Sequence, residues 1–414
     1  MPAKAILISI GDEILYGQTL DTNSHWISGE LDSLGIRVIK KITIGDSREE
    51  ILDNLAESEK LADMVLITGG LGPTSDDLTK PCLTEYFGTQ LERNEEILSH
   101  IKGMFERAGW EMSESNAMQA DLPANCTPIK NSIGTAAGMW FDQNDTVFVS
   151  MPGVPFEMRQ MMKDSILPKL KEKFVRDTIN HRMIRTIGIG ESKLAEIIKD
   201  WESQLPKTIK LAYLPTMGAV KLRLTTSGDN ATTQKLVQAE IDKVIPLIEK
   251  FVYGYEDEEI EEAIGRMLKA KGMTLAVAES CTGGYLSHKI TSVPGSSQWF
   301  NGSFVPYSNQ LKNEQLHVDM KIIQEHGAVS EPVVLALAKN VRKEFKSDVG
   351  VSISGIAGPG GGTPEKPVGT VWIGYADAKK NVAKKFQFIR DRELNIKYSA
   401  VAALNMIRIN LDKD

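Results

Sequence analysis

The sequence predicts a multidomain α/β protein, and three observations carry that reading. The chain has 414 residues, too many for one ordinary core, so two or three domains are expected. In its first and last parts, short Ile- and Val-rich runs alternate with segments of helical apolar spacing, the pattern of strands joined by helical crossovers. Between them the order changes to β-α-β-β-α, a small α+β unit. The expected units are residues 1–172, 176–252 and 256–414.

In the first unit "AILISI" (5–10), "IRVIKKITI" (36–44) and "DMVLITGG" (63–70) are strand-like. "TNSHWISGELDSLG" and "REEILDNLAESEKLA" between them are helical by apolar spacing. Repeated strand–helix–strand order implies a parallel sheet whose functional loops lie beyond the carboxyl ends of the strands. "GDEILYGQTLDTN" (11–23) and "GGLGPTSDD" (69–77) are such loops. The middle unit runs through "RMIRTIGI", "ESKLAEIIKDW", "IKLAYLP", "AVKLRLTT" and a long helix, and the acidic "GYEDEEIEE" (254–262) reads as a linker entering the next helix. The last unit holds the helix "EAIGRMLKAKG", a strand before Ser280, a strand around "GSFVPYS" and a helix after Pro332. Then come the strand "DVGVSISG", the Gly-rich "GIAGPGGGTPEKP", strands at 368–376 and 382–389, and a final helix.

Composition narrows the function classes. Apolar content of 42% and charged content of 25% are those of a globular protein. The formal net charge of −7 provides no global attraction to nucleic acid or anionic lipid. No apolar run approaches the ~20 residues of a membrane helix. "MPAKAILISIGDE" reads as a first strand and not as a secretory signal. Cys82, Cys126 and Cys281 are far apart, which suggests reduced thiols, a cytoplasmic protein and no zinc site.

Chemistry concentrates at "TLAVAESCTGGYLSHKI" (274–290), where Ser280 and Cys281 stand side by side at a strand-to-helix turn. A lone serine there is more often a helix cap, but Thr282 could cap equally well. Gly283 and Gly284 open the backbone at a helix start, where N–H groups suit an oxyanion or a phosphate. Cys281 is expected to begin the helix and turn inward as a small hydrophobe, with nothing nearby to lower its pKa. A serine nucleophile needs a base. His288, His317 and His326 are poorly placed for it, whereas Lys312 lies one turn into the helix after Tyr307. A lysine against apolar walls has a lowered pKa and can act as base. The loop at 354–370 follows a strand and could form an anion nest, but lacks the Gly-Lys-Ser/Thr ending of an NTPase loop.

Four blocks, "AESCTGG", "YSNxxK", "GAVSEPV" and "SGIAGPGGGxxxKPVGTVW", together resemble the CinA family (competence/damage-inducible protein). The resemblance implies a C-terminal α/β domain that is a nicotinamide-nucleotide amidase, turning nicotinamide mononucleotide (NMN) into nicotinate mononucleotide and ammonia without a cofactor. It implies Ser280 as nucleophile, Lys312 as its base and Tyr307 as an assisting group. Thr282, Gly283, Ser354, Gly355, Gly358, Gly360 and Arg392 would bind substrate. Late in the chain Arg390 stands where the family has Gly, and Lys397 lies near its later Arg. Pro306 replaces a residue that is usually small or Thr.

In the first unit, Asp76 and Asp77 form an adjacent pair whose repulsion calls for a cation or a helix end. Asp46 lies at the same sheet edge, and could instead cap a helix with Glu49 as capping-box partner. The family resemblance extends here through "GDEILxGxxxDTN", "GGLGPTxDD", "NxxQA", "NxxGTAxG" and "MPGVPFEM". It implies a molybdopterin-binding-like α/β domain, associated with cation-dependent hydrolysis of ADP-ribose to AMP and ribose 5-phosphate. Asp46, Asp76 and Asp77 would hold the divalent cation (magnesium or cobalt, with potassium as a candidate companion ion), and Asp77 would also act in catalysis. Gly69, Gly70, Gly72, Asp12, Glu13, Asn23, Thr135 and Gly153 would line the site. The middle unit resembles a KH-like module in strand order. Its "GIGES" (188–192) joins a strand to a helix and carries Glu191, so it reads as a spacer or dimerisation element without nucleic-acid binding. The expected partners are the two nucleotides and a second copy of the chain in a homodimer. The competing reading is a pterin-binding or competence-associated interaction protein in which only the C-terminal amidase is active, because a fold alone does not settle chemistry.

Overall fold

The computed structural model describes residues 2–74, 76–174, 178–228, 230–389 and 391–412. The first apolar run forms β1 (Lys4–Ile10), flanked in parallel by β2 (Arg37–Ile44) and β3 (Met64–Thr68). A short antiparallel pair follows, β4 (Leu91–Arg93) with β5 (Asp121–Pro123). β6 (Thr127–Ile129), β7 (Gly138–Gln143) and β8 (Thr146–Met151) complete a six-stranded sheet of order β2-β1-β3-β8-β7-β6. β8 joins β3 in parallel, while β7 and β6 are antiparallel additions. β3 and β8 are buried throughout because helices cover both sheet faces; β3 is apolar up to its last residue, Thr68, while β8 also buries Thr146 and Ser150. One face packs against Ile51, Leu55, Leu83 and Ile97, the other against Ile27, Leu31, Met158 and Met162. The parallel strands end at Ile10, Ile44, Thr68 and Met151, so the following loops share one edge.

This first compact unit comprises residues 1–180 with 226–234; the second comprises 181–225 with 235–414. Mostly within the second lie β9 (Thr178–Ile187), β10 (Lys210–Thr216), β11 (Ala219–Gly228) and β12 (Val252–Tyr255), the division falling after Asn180 in β9 and after Thr225 in β11. They form a sheet of order β10-β11-β9-β12. β12 takes in the start of the stretch read as an acidic linker: Tyr253 and Gly254 are buried there and the strand pairs with β9. Ile187 and Tyr253 also enter the C-terminal core, so the middle and C-terminal stretches share one compact unit.

The C-terminal sheet has β13 (Leu275–Glu279), β14 (Phe300–Phe304), β15 (Val349–Gly355), β16 (Thr370–Ala376) and β17 (Asn381–Gln387), in the order β14-β13-β15-β16-β17. β13 is parallel to β14 and β15, and the remaining pairings are antiparallel. β14 stops short of Pro306, which has no N–H for a ladder. A correction concerns Cys281: the helix expected to begin there begins at Tyr285. Gly283 and Gly284 have φ of 59° and 98°, a left-handed backbone that ends helical continuity, so Ser280–Gly284 is a turn.

Candidate functional site

β13 delivers Ser280 to the carboxyl edge of its sheet, and the helix Asn309–Leu316 brings Lys312 to meet it. Lys312 Nζ lies 3.2 Å from Ser280 Oγ, 2.8 Å from the Pro306 carbonyl and 3.5 Å from the Tyr307 carbonyl. Lys312 is 1% exposed and Ser280 9%. Burial pulls the Lys312 ammonium below the ordinary lysine value, and among the described residues no carboxylate forms an ion pair with it. The pair therefore has the contact and the protonation bias that a serine and its base require.

Neither Ser280 nor Thr282 caps the helix Tyr285–Thr291; its N-cap is Gly284, with no side-chain cap. Glu279, 0% exposed, does that work from the strand end. Its Oε2 accepts from the N–H groups of Gly284 (3.1 Å) and Leu286 (3.0 Å). Its Oε1 accepts from Ser287 N–H (2.8 Å) and the Ser287 hydroxyl (2.5 Å). Gly283 N–H donates to the Ser280 carbonyl. The glycine amides expected to greet substrate are thus engaged, and those of Cys281 and Thr282 are the ones that donate to no other described residue. Thr282 is buried with its hydroxyl unpartnered. Cys281 is packed in the core, where burial pushes its thiol up to about 12.

Arg392 links two further elements. Its guanidinium donates to the Gly358 carbonyl (2.7 Å) and to the Tyr307 hydroxyl (3.2 Å). Tyr307 is 59% exposed, and the group it presents to Lys312 is its carbonyl, not its phenol. Ser354 is buried and donates to the Ala328 carbonyl at 2.8 Å. At Gly355 a Cβ would meet Val371 at 2.6 Å and Cys281 Sγ at 3.1 Å, so close packing requires glycine there. The N–H groups of Gly358 and Gly360 donate to no described residue, as an anion nest requires. Arg390 lies outside the described residues.

In the first unit a cleft of about 520 Å³ opens at the shared strand edge. Gly69, Gly70, Gly72, Glu13, Asp46, Asp76, Asp77, Thr135 and Gly153 all line it, together with Gln119 and Glu157. Asn23 stands behind, donating to the Gly153 carbonyl at 2.6 Å, and the exposed Asp12 donates its N–H to Asp46 Oδ2 at 3.3 Å. Asp46 caps no helix: the following N-cap is Ser47. Burial raises the Asp46 pKa, as do the neighbouring charges of Asp12, Glu13 and Asp76, against the Asp12 N–H. Asp77 accepts from the N–H groups of Gly72 (2.8 Å) and Thr74 (3.0 Å) and from the Thr74 hydroxyl. A Cβ at Gly72 would lie 2.5 Å from Asp77 Oδ2. What offsets the charge of Asp77 is therefore its own loop. At Gly69 a Cβ would strike the Ile10 carbonyl at 2.1 Å, with φ at 104°, so only glycine fits. No group of three metal-ligating side chains is present among the described residues. Asp46, Asp76 and Glu13 nevertheless bring like charges near one another in this cleft.

Sequence reasoning missed Glu279, Gln119 and Glu157. The last two sit inside motifs already noted, "NxxQA" and "MPGVPFEM"; Glu279 was visible as a charge closing an apolar strand.

No helix among the described residues is long and apolar enough to cross a membrane. Residues 6–172 match the family model "Probable molybdopterin binding domain", residues 181–254 "Damage-inducible protein CinA KH domain", and residues 257–411 "CinA C-terminal domain". A "CinA-like protein" of Cytophaga hutchinsonii is 50% identical over 408 residues, covering 98% of both chains. One of Flavobacterium psychrophilum is 42% identical over 410 residues, covering 98% of this chain and 97% of its own. One of Salinibacter ruber is 41% identical over 413 residues, covering 99% of both. Full-length likeness of this order, over the same three modules that the fold displays, places the chain in the CinA family.

Proposed function

We propose that the C-terminal domain hydrolyses nicotinamide mononucleotide to nicotinate mononucleotide and ammonia. The observation that carries this reading is the buried contact between Lys312 Nζ and Ser280 Oγ at 3.2 Å. In the proposed mechanism neutral Lys312 takes the Ser280 proton as Oγ attacks the carboxamide carbon. The N–H groups of Cys281 and Thr282 receive the developing oxyanion. The protonated Lys312 then returns its proton to the departing nitrogen, so ammonia leaves and Ser280 carries an ester. Water, deprotonated by Lys312, attacks that ester; the proton returns to Ser280 and nicotinate mononucleotide is released. The Gly358–Gly360 loop and Arg392 would hold the substrate phosphate, with Arg392 exchanging its present acceptors for phosphate oxygens.

For the N-terminal domain we propose hydrolysis of ADP-ribose to AMP and ribose 5-phosphate with a divalent cation. The crowded carboxylates Asp46, Asp76 and Glu13 would hold the ion, and the Gly69–Gly72 loop would receive the pyrophosphate. The bound cation would neutralise phosphate charge and lower the pKa of a water. Asp77 would shape the loop. A second reading, ligand binding without hydrolysis in this domain, is favoured by the lack of a three-ligand cluster among the described residues.

One experiment separates these outcomes: incubate the full chain with NMN and with ADP-ribose plus magnesium or cobalt, and follow products by mass spectrometry. Release of nicotinate mononucleotide that vanishes in Ser280→Ala is expected. An active Ser280→Ala enzyme would overturn the serine mechanism, and intact ADP-ribose under every cation would select the binding-only reading.

A further inference from the structure

Away from both sites, a cleft of about 310 Å³ opens in the second unit where the β10–β11 hairpin of the middle module meets the C-terminal helices. Its floor is apolar and aromatic, with Ile187, Ile260, Tyr253 and Val401. Its rim carries three lysines from three separate elements: Lys221 on β11, Lys289 on the helix Tyr285–Thr291, and Lys397 on the helix Arg392–Asp412. Two of these cations are matched. Lys289 pairs with the buried Glu261 at 2.7 Å, and Lys397 pairs with Glu393. The one rim carboxylate, Glu259, is matched by Arg185 at 2.8 Å. Lys221 remains: it is partly buried, and no described residue forms an ion pair or side-chain hydrogen bond with it.

Lys221 thus presents a positive charge at the rim that no described residue neutralises. A cleft with an apolar floor and a lysine rim suits a ligand with a flat apolar part and an anionic group at one end. The size lies at the lower end of small-molecule pockets, on the order of 300 Å³. We propose that this cleft binds a phosphorylated small molecule of the mononucleotide class. Its base would lie on Tyr253 and Ile260, and its phosphate would be held by Lys221 with Lys397 and Lys289. The site is separate from Ser280, but its walls are not independent of it. Tyr285 and Lys289 belong to the helix that Glu279 anchors directly after the Ser280 turn, and Lys397 shares a helix with Arg392. An occupant would therefore restrain both helices that frame the amidase site.

The test is an amine-labelling footprint on the full chain, read by mass spectrometry at each lysine. AMP, inorganic pyrophosphate and adenosine are the probes. AMP is expected to slow labelling of Lys221 and Lys397 several-fold, pyrophosphate to do so at higher concentration, and adenosine to leave both unchanged. In Lys221→Ala the protection of Lys397 should fall at least tenfold in apparent affinity, and Lys221→Arg should restore it. Reading the site by its own lysines separates it from any AMP held in the N-terminal cleft. Failure of AMP and pyrophosphate at millimolar concentration to protect Lys221 and Lys397 would overturn the proposal. So would Lys397 protection that is the same in Lys221→Ala as in the parent protein.

Discussion

Replacing Glu279 by Gln tests how the nucleophile turn is held. The carboxylate accepts four hydrogen bonds with no water access, two on each oxygen. An amide keeps one acceptor oxygen and turns an NH2 toward the other pair of donors. The less costly orientation faces the NH2 to Ser287, whose hydroxyl can rotate to accept. Ser287 N–H is then orphaned in a part-buried site, at about 1–3 kcal/mol. The bonds kept at Gly284 and Leu286 lose their charge assistance, adding roughly another 1 kcal/mol. The sum is about 2–4 kcal/mol, and each 1.4 kcal/mol is about tenfold in an opening equilibrium. Hydrogen exchange across the helix Tyr285–Thr291 should accelerate by roughly 30- to 1000-fold on that scale. Global melting is the wrong assay, because a multidomain chain does not unfold in two states. The amidase kcat should fall, since Ser280 rides on the same turn, while Glu279→Asp should recover neither exchange nor rate fully because it is a methylene shorter. Exchange and kcat both unchanged in Glu279→Gln would refute the idea that this carboxylate anchors the turn.

Burial lowers the Lys312 pKa below the usual 10.5, so neutral, base-competent lysine accumulates as pH rises through that lowered value. The amidase kcat/KM should climb with pH and level off below 10.5; in the same window the unfolded chain holds more protons, so stability should also rise with pH, a slope that Lys312→Met removes. A flat rate profile would exclude Lys312 as base. Cys281→Ala should keep amidase activity and cost about 1 kcal/mol of packing, and thiol reagents should react slowly with a thiol pushed up to about 12. Rapid alkylation with loss of activity would hand the nucleophile role to Cys281. Asp77→Asn should loosen the 69–78 loop, seen as faster hydrogen exchange, yet weaken magnesium binding by calorimetry less than Asp46→Asn does. The reverse order would make Asp77 a ligand of the ion.

Most of the sheet architecture was legible because buried parallel strands leave apolar runs, as in residues 64–67 and 275–278. β12 was hidden: its short run lies against an acidic segment, and its partner β9 is far away in sequence. The pairing of Ser280 with Lys312 was suggested by residue type and family likeness, but the 3.2 Å contact depends on parallel strands β13 and β14 ending at one edge, which no local pattern encodes. The role of Asp77 could not be read locally either. Two adjacent aspartates look alike in sequence, and only the loop's fold decides which one accepts from the backbone N–H groups of Gly72 and Thr74.

Glu279 and Lys312 show why a buried site needs both charges kept apart. A carboxylate beside Lys312 would stabilise its ammonium, raise its pKa and leave it unable to accept the Ser280 proton. Glu279 sits one residue from Ser280, yet its oxygens face the backbone N–H groups of Gly284, Leu286 and Ser287. Those dipoles satisfy the carboxylate without a cation, as a helix N-terminus does. Lys312 in turn faces only neutral acceptors, the Pro306 and Tyr307 carbonyls and the Ser280 hydroxyl. Three donors on neutral oxygens orient the amine but do not replace the hydration of a full charge, so desolvation remains the dominant influence on its titration. The acid is tied to the turn that carries the nucleophile, and the amine is left poised to take its proton. Placing a carboxylate beside Lys312, for example at Pro306, should therefore move the ascending limb of the amidase profile to higher pH, and a limb that stays in place would show that Lys312 is not the titrating base.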